Sequence, residues 1–169
     1  TKNGTLKSTL PRKPLAPKDI PKIEFLKFFN RSDSNKYLFY TMTSRGCWYN
    51  CLFCVESKLW KLPRVKNSEY VKEEIEEIIH LTKSKFIHFA DSIFPINSSH
   101  LQSLVKTLNG IDIMLSFNIH ENLFLQDRKI WKILKKIYPF EVYIGIESCS
   151  NKILKRNKKP FLFNHILLL

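Results

Sequence analysis

The sequence predicts an α/β fold: a parallel sheet curled into part of a (β/α) barrel, with about four β/α units. Three observations predict it. Strand-like and helix-like segments alternate from residue 37 onward. The stretches between strands are long enough for helical crossovers, which is what parallel neighbours require. The chain, at 169 residues, is too short for the roughly 250 of a complete eight-fold barrel.

The elements follow in order. Residues 1–36 hold four of the eight prolines, at 11, 14, 17 and 21, and proline supplies neither ladder nor helix donors. This basic stretch reads as an extended lead-in or linker, leaving residues 37–169 as an incomplete core domain. Tyr37–Thr43 is β-branched and aromatic enough for a first strand. Ser68–Thr82 opens on a serine cap and sets Val71, Ile75, Ile78 and Ile79 on one helical face. Glu69, Glu73, Glu74, Glu76 and Glu77 fall opposite or leading, as a wet face should. Lys85–Asp91 is a second strand, and Asn97–Leu108 a helix with Leu101, Leu104, Val105 and Leu108 at helical spacing.

Ile113–Ile119 alternates Ile113, Leu115, Phe117 and Ile119 with Met114, Ser116 and Asn118, a half-polar third strand. Asp127–Ile137 reads as a helix with Ile130, Trp131, Leu134 and Ile137 inward and Lys129, Lys132, Lys135 and Lys136 outward. In a fourth strand, Val142–Glu147, Val142, Ile144 and Ile146 are available for packing on helices, and Tyr143, Gly145 and Glu147 share the other face. A carboxylate at the carboxyl end of a parallel barrel strand faces the site. A short basic helix follows from Asn151. The chain opens on Thr1 and closes on the mostly apolar Phe161–Leu169, which reads as a piece of a longer protein whose C-terminal strands are missing.

Three of the four cysteines lie within eight positions, in Thr43-Ser44-Arg45-Gly46-Cys47-Trp48-Tyr49-Asn50-Cys51-Leu52-Phe53-Cys54. That crowding excludes a disulfide scaffold and points to a metal. Three thiolates in one C-x3-C-x2-C loop can hold three irons of a four-iron cube and leave the fourth iron open. A zinc site completed by Cys149 or His88 is the structural alternative, but zinc sites usually carry a second distant pair and none exists here. Gly46 allows a sharp entry into the loop, and Arg45 would bring positive charge near an anionic cluster.

This loop, directly after the first strand, resembles the signature of the radical S-adenosylmethionine (radical SAM) superfamily. Phe89-Ala90-Asp91-Ser92-Ile93-Phe94 is similar to the second-strand element of its cobalamin-binding branch, with Ser92 where a second aspartate is usual. Gly145-Ile146-Glu147-Ser148 and Leu154-Lys155-Arg156-Asn157-Lys158 resemble that branch's fourth strand and following helix. The resemblance implies a radical SAM-type partial barrel holding a [4Fe-4S] cluster through Cys47, Cys51 and Cys54. S-Adenosylmethionine (SAM) would chelate the open iron, and its reductive cleavage would yield a 5′-deoxyadenosyl radical. Phe53 would lie near the adenine, Phe89, Ala90 and Asp91 near the methionyl amine, and Glu147 near ribose or amine. Ser116 and Asn118 are further candidates for polar contacts to SAM, while His120 stands where relatives often carry a basic residue. An electron donor such as flavodoxin or ferredoxin is implied, and cobalamin through a domain outside this chain. The substrate is not legible.

The formal charge is +13, but 22 of the 28 basic residues are lysine in a chain rich in Ile, Asn and Phe, as AT-rich codon usage would also give. The lysine stripe at 129–136 and the run Lys152–Lys159 read first as solvated faces. A basic nucleic-acid-binding, RNA-modifying module with a structural metal centre is the alternative function. With no apolar run long enough for a bilayer and no signal peptide, the expected compartment is the reducing cytoplasm.

Overall fold

The structure, a computed structural model, describes residue 4 and residues 8–10, 12–24, 38–60, 62–120, 122–123, 129–137 and 139–166. Its elements in chain order are β1 (Phe39–Thr41), β2 (Ser44–Arg45), α1 (Glu56–Leu59), β3 (Arg64–Val65), α2 (Ser68–Thr82), β4 (Phe86–Phe89) and α3 (Ser98–Thr107), followed by β5 (Met114–Ile119), α4 (Lys129–Leu134), β6 (Pro139–Ile144), α5 (Asn151–Arg156) and α6 (Phe163–Ile166). The expected beginnings of a strand at Tyr37 and of a helix at Asp127 lie outside the described residues.

Four strands form one sheet in the order β1-β4-β5-β6, every pair parallel. Period-two alternation sends Phe39, Ile87, Phe89, Leu115, Phe117 and Ile119 to one face, where they join Val71, Ile75 and Ile78 of α2, Leu101 and Leu104 of α3, and Ile130 and Leu134 of α4. Phe94 sits among them, 5.0 Å from the ring of Phe89 and 4.7 Å from that of Phe117. Each fully buried side chain of this kind is worth about 1.5–3 kcal/mol. On the opposite face the His88 ring stands between Tyr40 and Tyr143, at 5.1 and 5.9 Å.

Helix α2 is capped one residue earlier than its sequence implies: the side chain of Asn67, not Ser68, accepts the Glu69 N–H at 2.9 Å. Its glutamates are not all wet. Glu74 is fully buried, ion-paired with Lys66, and accepts from the Thr41 hydroxyl at 2.6 Å and from the Ile23 N–H. The reason is phase, since position 74 follows Val71 by three and precedes Ile78 by four. Lys22 pairs with Glu73 at 3.2 Å, so the lead-in at Lys22 is laid against α2.

The fourth strand also differs from expectation. It runs from Pro139 to Ile144, because its ladder starts opposite Leu115 and ends opposite Ile119. Proline is tolerated at a first strand position, where no donor is required. Glu147 therefore lies beyond the strand, in left-handed backbone at φ 66°, rather than on a strand face with Tyr143. Ile144 and Ile146, expected to pack on helices, are exposed, and Val142 alone of the three packs partly on the core.

Candidate functional site

Between β1 and α2 the chain makes an excursion that carries all three clustered cysteines. β2 and β3 close its base as a two-stranded antiparallel pair, and the Lys66 N–H donates to the Thr43 carbonyl at 2.8 Å. These strands, two residues each, are too short to leave a periodic signal. Gly46 starts the loop at φ 95°, and a β-carbon there would come within 3.1 Å of the Leu62 carbonyl oxygen and of Trp60 Cβ. Only glycine meets both the conformation and the space.

Asp91 fixes the entrance. It is buried at the end of β4, where Oδ1 accepts the N–H groups of Thr43 and Ser44 at 2.7 and 3.1 Å, and Oδ2 accepts both hydroxyls, that of Ser44 at 2.8 Å. The carboxylate is thus engaged with the residues that lead into the cysteine loop. Burial nevertheless pushes its pKa up to about 6, against the lowering effect of those bonds. Ser92 donates to Glu56 of α1, joining the same strand end to the loop's exit. Phe89 is wholly in the core, paired with Thr41 and Phe117, whereas Ala90 is exposed.

Cys51 is buried, and Cys47 and Cys54 are half-buried; none of the three forms a disulfide. The Tyr49 N–H points at Cys47 Sγ, 3.5 Å away, and the Cys54 N–H donates to the Cys51 carbonyl at 3.1 Å. Burial raises the Cys47 pKa most. The Tyr49 N–H opposes that shift, the neighbouring Cys51 and Cys54 add to it, and Lys159 lowers it. Among the described residues, no three His, Cys, Asp or Glu side chains are gathered as ligands of a single ion. Three thiolates from one loop are a donor set that would suit a multi-iron cluster, whose ligands bind different irons.

The far wall comes from the C-terminal segment. α5 ends in a Schellman motif with Lys158, not glycine, in the left-handed position: the Lys159 N–H donates to Leu154 and that of Lys158 to Lys155, both at 3.0 Å. This turn sends the Lys159 side chain inward, where it is 7% exposed. Its ammonium stands 6.0 Å from the Phe53 ring centre, 5.2 Å from that of Phe161 and 3.6 Å from Glu147 Oε1. The Leu52 N–H donates to the Asn157 carbonyl at 3.0 Å, tying the cysteine loop to this helix end. The cation expected beside the cysteines, Arg45, instead lies over Trp60 at 5.0 Å and donates to Met42 Sδ at 3.3 Å.

The structure thus gathers Phe53, Glu147, Lys159 and the cysteines at one end of the sheet. Ser116 lies deeper, buried and hydrogen-bonded to His88 Nδ1 at 2.8 Å, and Asn118 is exposed two residues nearer the strand end. His120 stacks on Tyr49 at 3.9 Å. Sequence reasoning missed Lys159 and Phe161, because one lysine in a run of lysines carries no mark; the turn that aims it is set by the helix end.

The family profile described as "Radical SAM superfamily" matches residues 41–167. The chain belongs to the radical SAM superfamily. It is 30% identical over 159 residues to an uncharacterized methyltransferase, PH0819, of Pyrococcus horikoshii, covering 90% of this chain and 34% of that protein. It is 25% identical over 109 residues to the anaerobic magnesium-protoporphyrin IX monomethyl ester cyclase of Rubrivivax gelatinosus, covering 63% and 20%. The chain thus spans about a third or less of these relatives' length. Among solved structures, the fold resembles the cobalamin-dependent SAM radical enzyme OxsB (TM-score 0.67, 22% identity, 76% of this chain and 21% of that one). It also resembles the radical SAM methyltransferase TsrM of Kitasatospora setae, solved with cobalamin and a [4Fe-4S] cluster (TM-score 0.65, 18% identity, 92% and 29%). The radical SAM chain shares with them an α/β fold built on a parallel sheet. Among its described residues, no helix is long and apolar enough to cross a membrane.

Buried histidines should make the radical SAM domain acid-sensitive. Burial holds His100 down to about 4, and burial with Lys159 holds His120 down to about 3. Unfolded histidine titrates near 6.5, so the stability tied to these neutral rings is full above about pH 6.5 and is lost as pH falls toward the folded values. Asp91 works in the opposite direction over the narrower interval from about 6 down to the unfolded value near 3.9. The urea midpoint is therefore expected to fall between pH 7 and 5, and His100→Leu to flatten that slope even if it lowers the midpoint throughout. An unchanged slope would contradict the assignment.

Proposed function

We propose that Cys47, Cys51 and Cys54 hold a four-iron, four-sulfur cluster with one corner left for SAM, and that the chain is the core of a radical SAM enzyme working beside cobalamin bound by a domain outside it. The observation that carries this reading is the cysteine trio itself, on a loop that Asp91 secures at its entrance, with a near-buried ammonium on its far side. When bound, the cluster and SAM supply one-electron cleavage of the sulfonium to an adenosyl radical. The chain's own residues ligate, orient and exclude water. Phe53 and Phe161 wall the site, Glu147 and Asn118 offer polar contacts to SAM, and the exposed Ala90 lies just past the end of β4. Ser116 acts through His88 rather than at the rim. The small donor would be a flavodoxin or ferredoxin, and a reducing cytoplasm would keep the thiols free.

The basic nucleic-acid module is less well supported. Lys66 and Lys159 are turned inward, and Lys22 and Lys85 are committed to carboxylates. Anaerobic reconstitution with iron and sulfide is expected to give the absorbance and, after reduction, the spin signal of a four-iron cluster. Cys51→Ala should lose at least about tenfold in cluster content, since one of three protein ligands is removed. A wild-type chain that takes up no iron, or a variant spectrum identical to wild type, would refute the proposal.

A further inference from the structure

We propose that Lys159 is a positioning residue for charge: its ammonium, fixed under Phe53 and against Glu147, stabilises the reduced, more negative state of the cluster and so raises its potential. This rests on the cluster reading above. The side chain is 7% exposed and, among the described residues, makes no hydrogen bond; its partners are two ring faces and one carboxylate oxygen at 3.6 Å. Withdrawing an ammonium from water costs more than ring faces return. Glu147 is 43% exposed and stands beyond hydrogen-bond distance, so solvent weakens its share. The fold thus keeps a positive charge inside with incomplete compensation. Phe53, whose ring the ammonium faces, directly precedes Cys54 on the cysteine loop, so a loaded loop would bring negative charge beside it. Two backbone features keep the ammonium there, the left-handed turn at Lys158 and the bond from Leu52 to Asn157. Arg45, the cation nearest the cysteines in the sequence, is occupied by Trp60 and Met42.

The test is a reductive titration of the reconstituted chain without SAM, followed by the spin signal of the reduced cluster. Lys159→Met keeps the packing on both rings and removes the charge; its midpoint should fall by at least about tenfold in the one-electron equilibrium, roughly 59 mV. Lys159→Arg should stay near wild type. Glu147→Gln, which leaves the ammonium without its carboxylate, should move the midpoint the other way. If Lys159→Met does not retain the cluster, Lys159→Gln, likewise neutral, is titrated in its place. A four-iron signal in wild type with no shift in the variants overturns the role of Lys159; no four-iron signal in wild type overturns the cluster reading instead.

Discussion

Glu74→Ala is expected to cost about 3–5 kcal/mol of folding stability, the range for a broken buried ion pair. Its carboxylate is fully buried, and the Lys66 side chain that it meets is 4% exposed. Deletion strands that ammonium and frees two further donors, the Thr41 hydroxyl and the Ile23 N–H. Because β1, α2, the Lys66 segment and the lead-in all converge on this carboxylate, the loss should register as global unfolding at lower urea rather than as fraying. The double variant Glu74→Leu with Lys66→Met should recover most of the stability, since an apolar pair of similar volume needs no charge compensation. A single variant within 1 kcal/mol of wild type would mean the pair is solvated.

The second large effect is at the loop entrance. Asp91→Ala leaves two buried N–H groups and two hydroxyls without their acceptor. At about 1–3 kcal/mol for each unsatisfied buried backbone donor, a loss of about 2–6 kcal/mol is expected. Iron uptake should fall with it, because Thr43 and Ser44 set the register of everything up to Cys54. Asp91→Asn should be far milder. One oxygen serves both N–H groups and the other both hydroxyls, so an amide can keep its oxygen on the backbone and donate its NH2 to rotated hydroxyls. Iron per chain after reconstitution and the urea midpoint together decide it; equal damage from Ala and Asn would mean that the charge, not the bonding pattern, matters.

The alternation of strands and helices was readable because apolar spacing survives any tertiary detail, as Leu115, Phe117 and Ile119 against Leu101 and Leu104 illustrate. The cysteine spacing was equally readable, being a property of one loop. Glu74 was misread because residue type was allowed to outweigh helical phase. Glu147 was misread because a strand's end is decided by its neighbour: β5 stops at Ile119, so β6 has no ladder past Ile144. The inward lysine was invisible for a related reason, since it depends on how a helix terminates and not on composition.

The backbone bond between residues 52 and 157 has a consequence for biosynthesis. The cysteines are translated early, yet their loop acquires its last anchor only when a segment made much later has docked. Contacts so distant along the chain form late in folding. A nascent polypeptide that has not yet emerged as far as residue 157 therefore carries the thiols in an unfinished cradle, and the loop is completed only once that segment is available to dock.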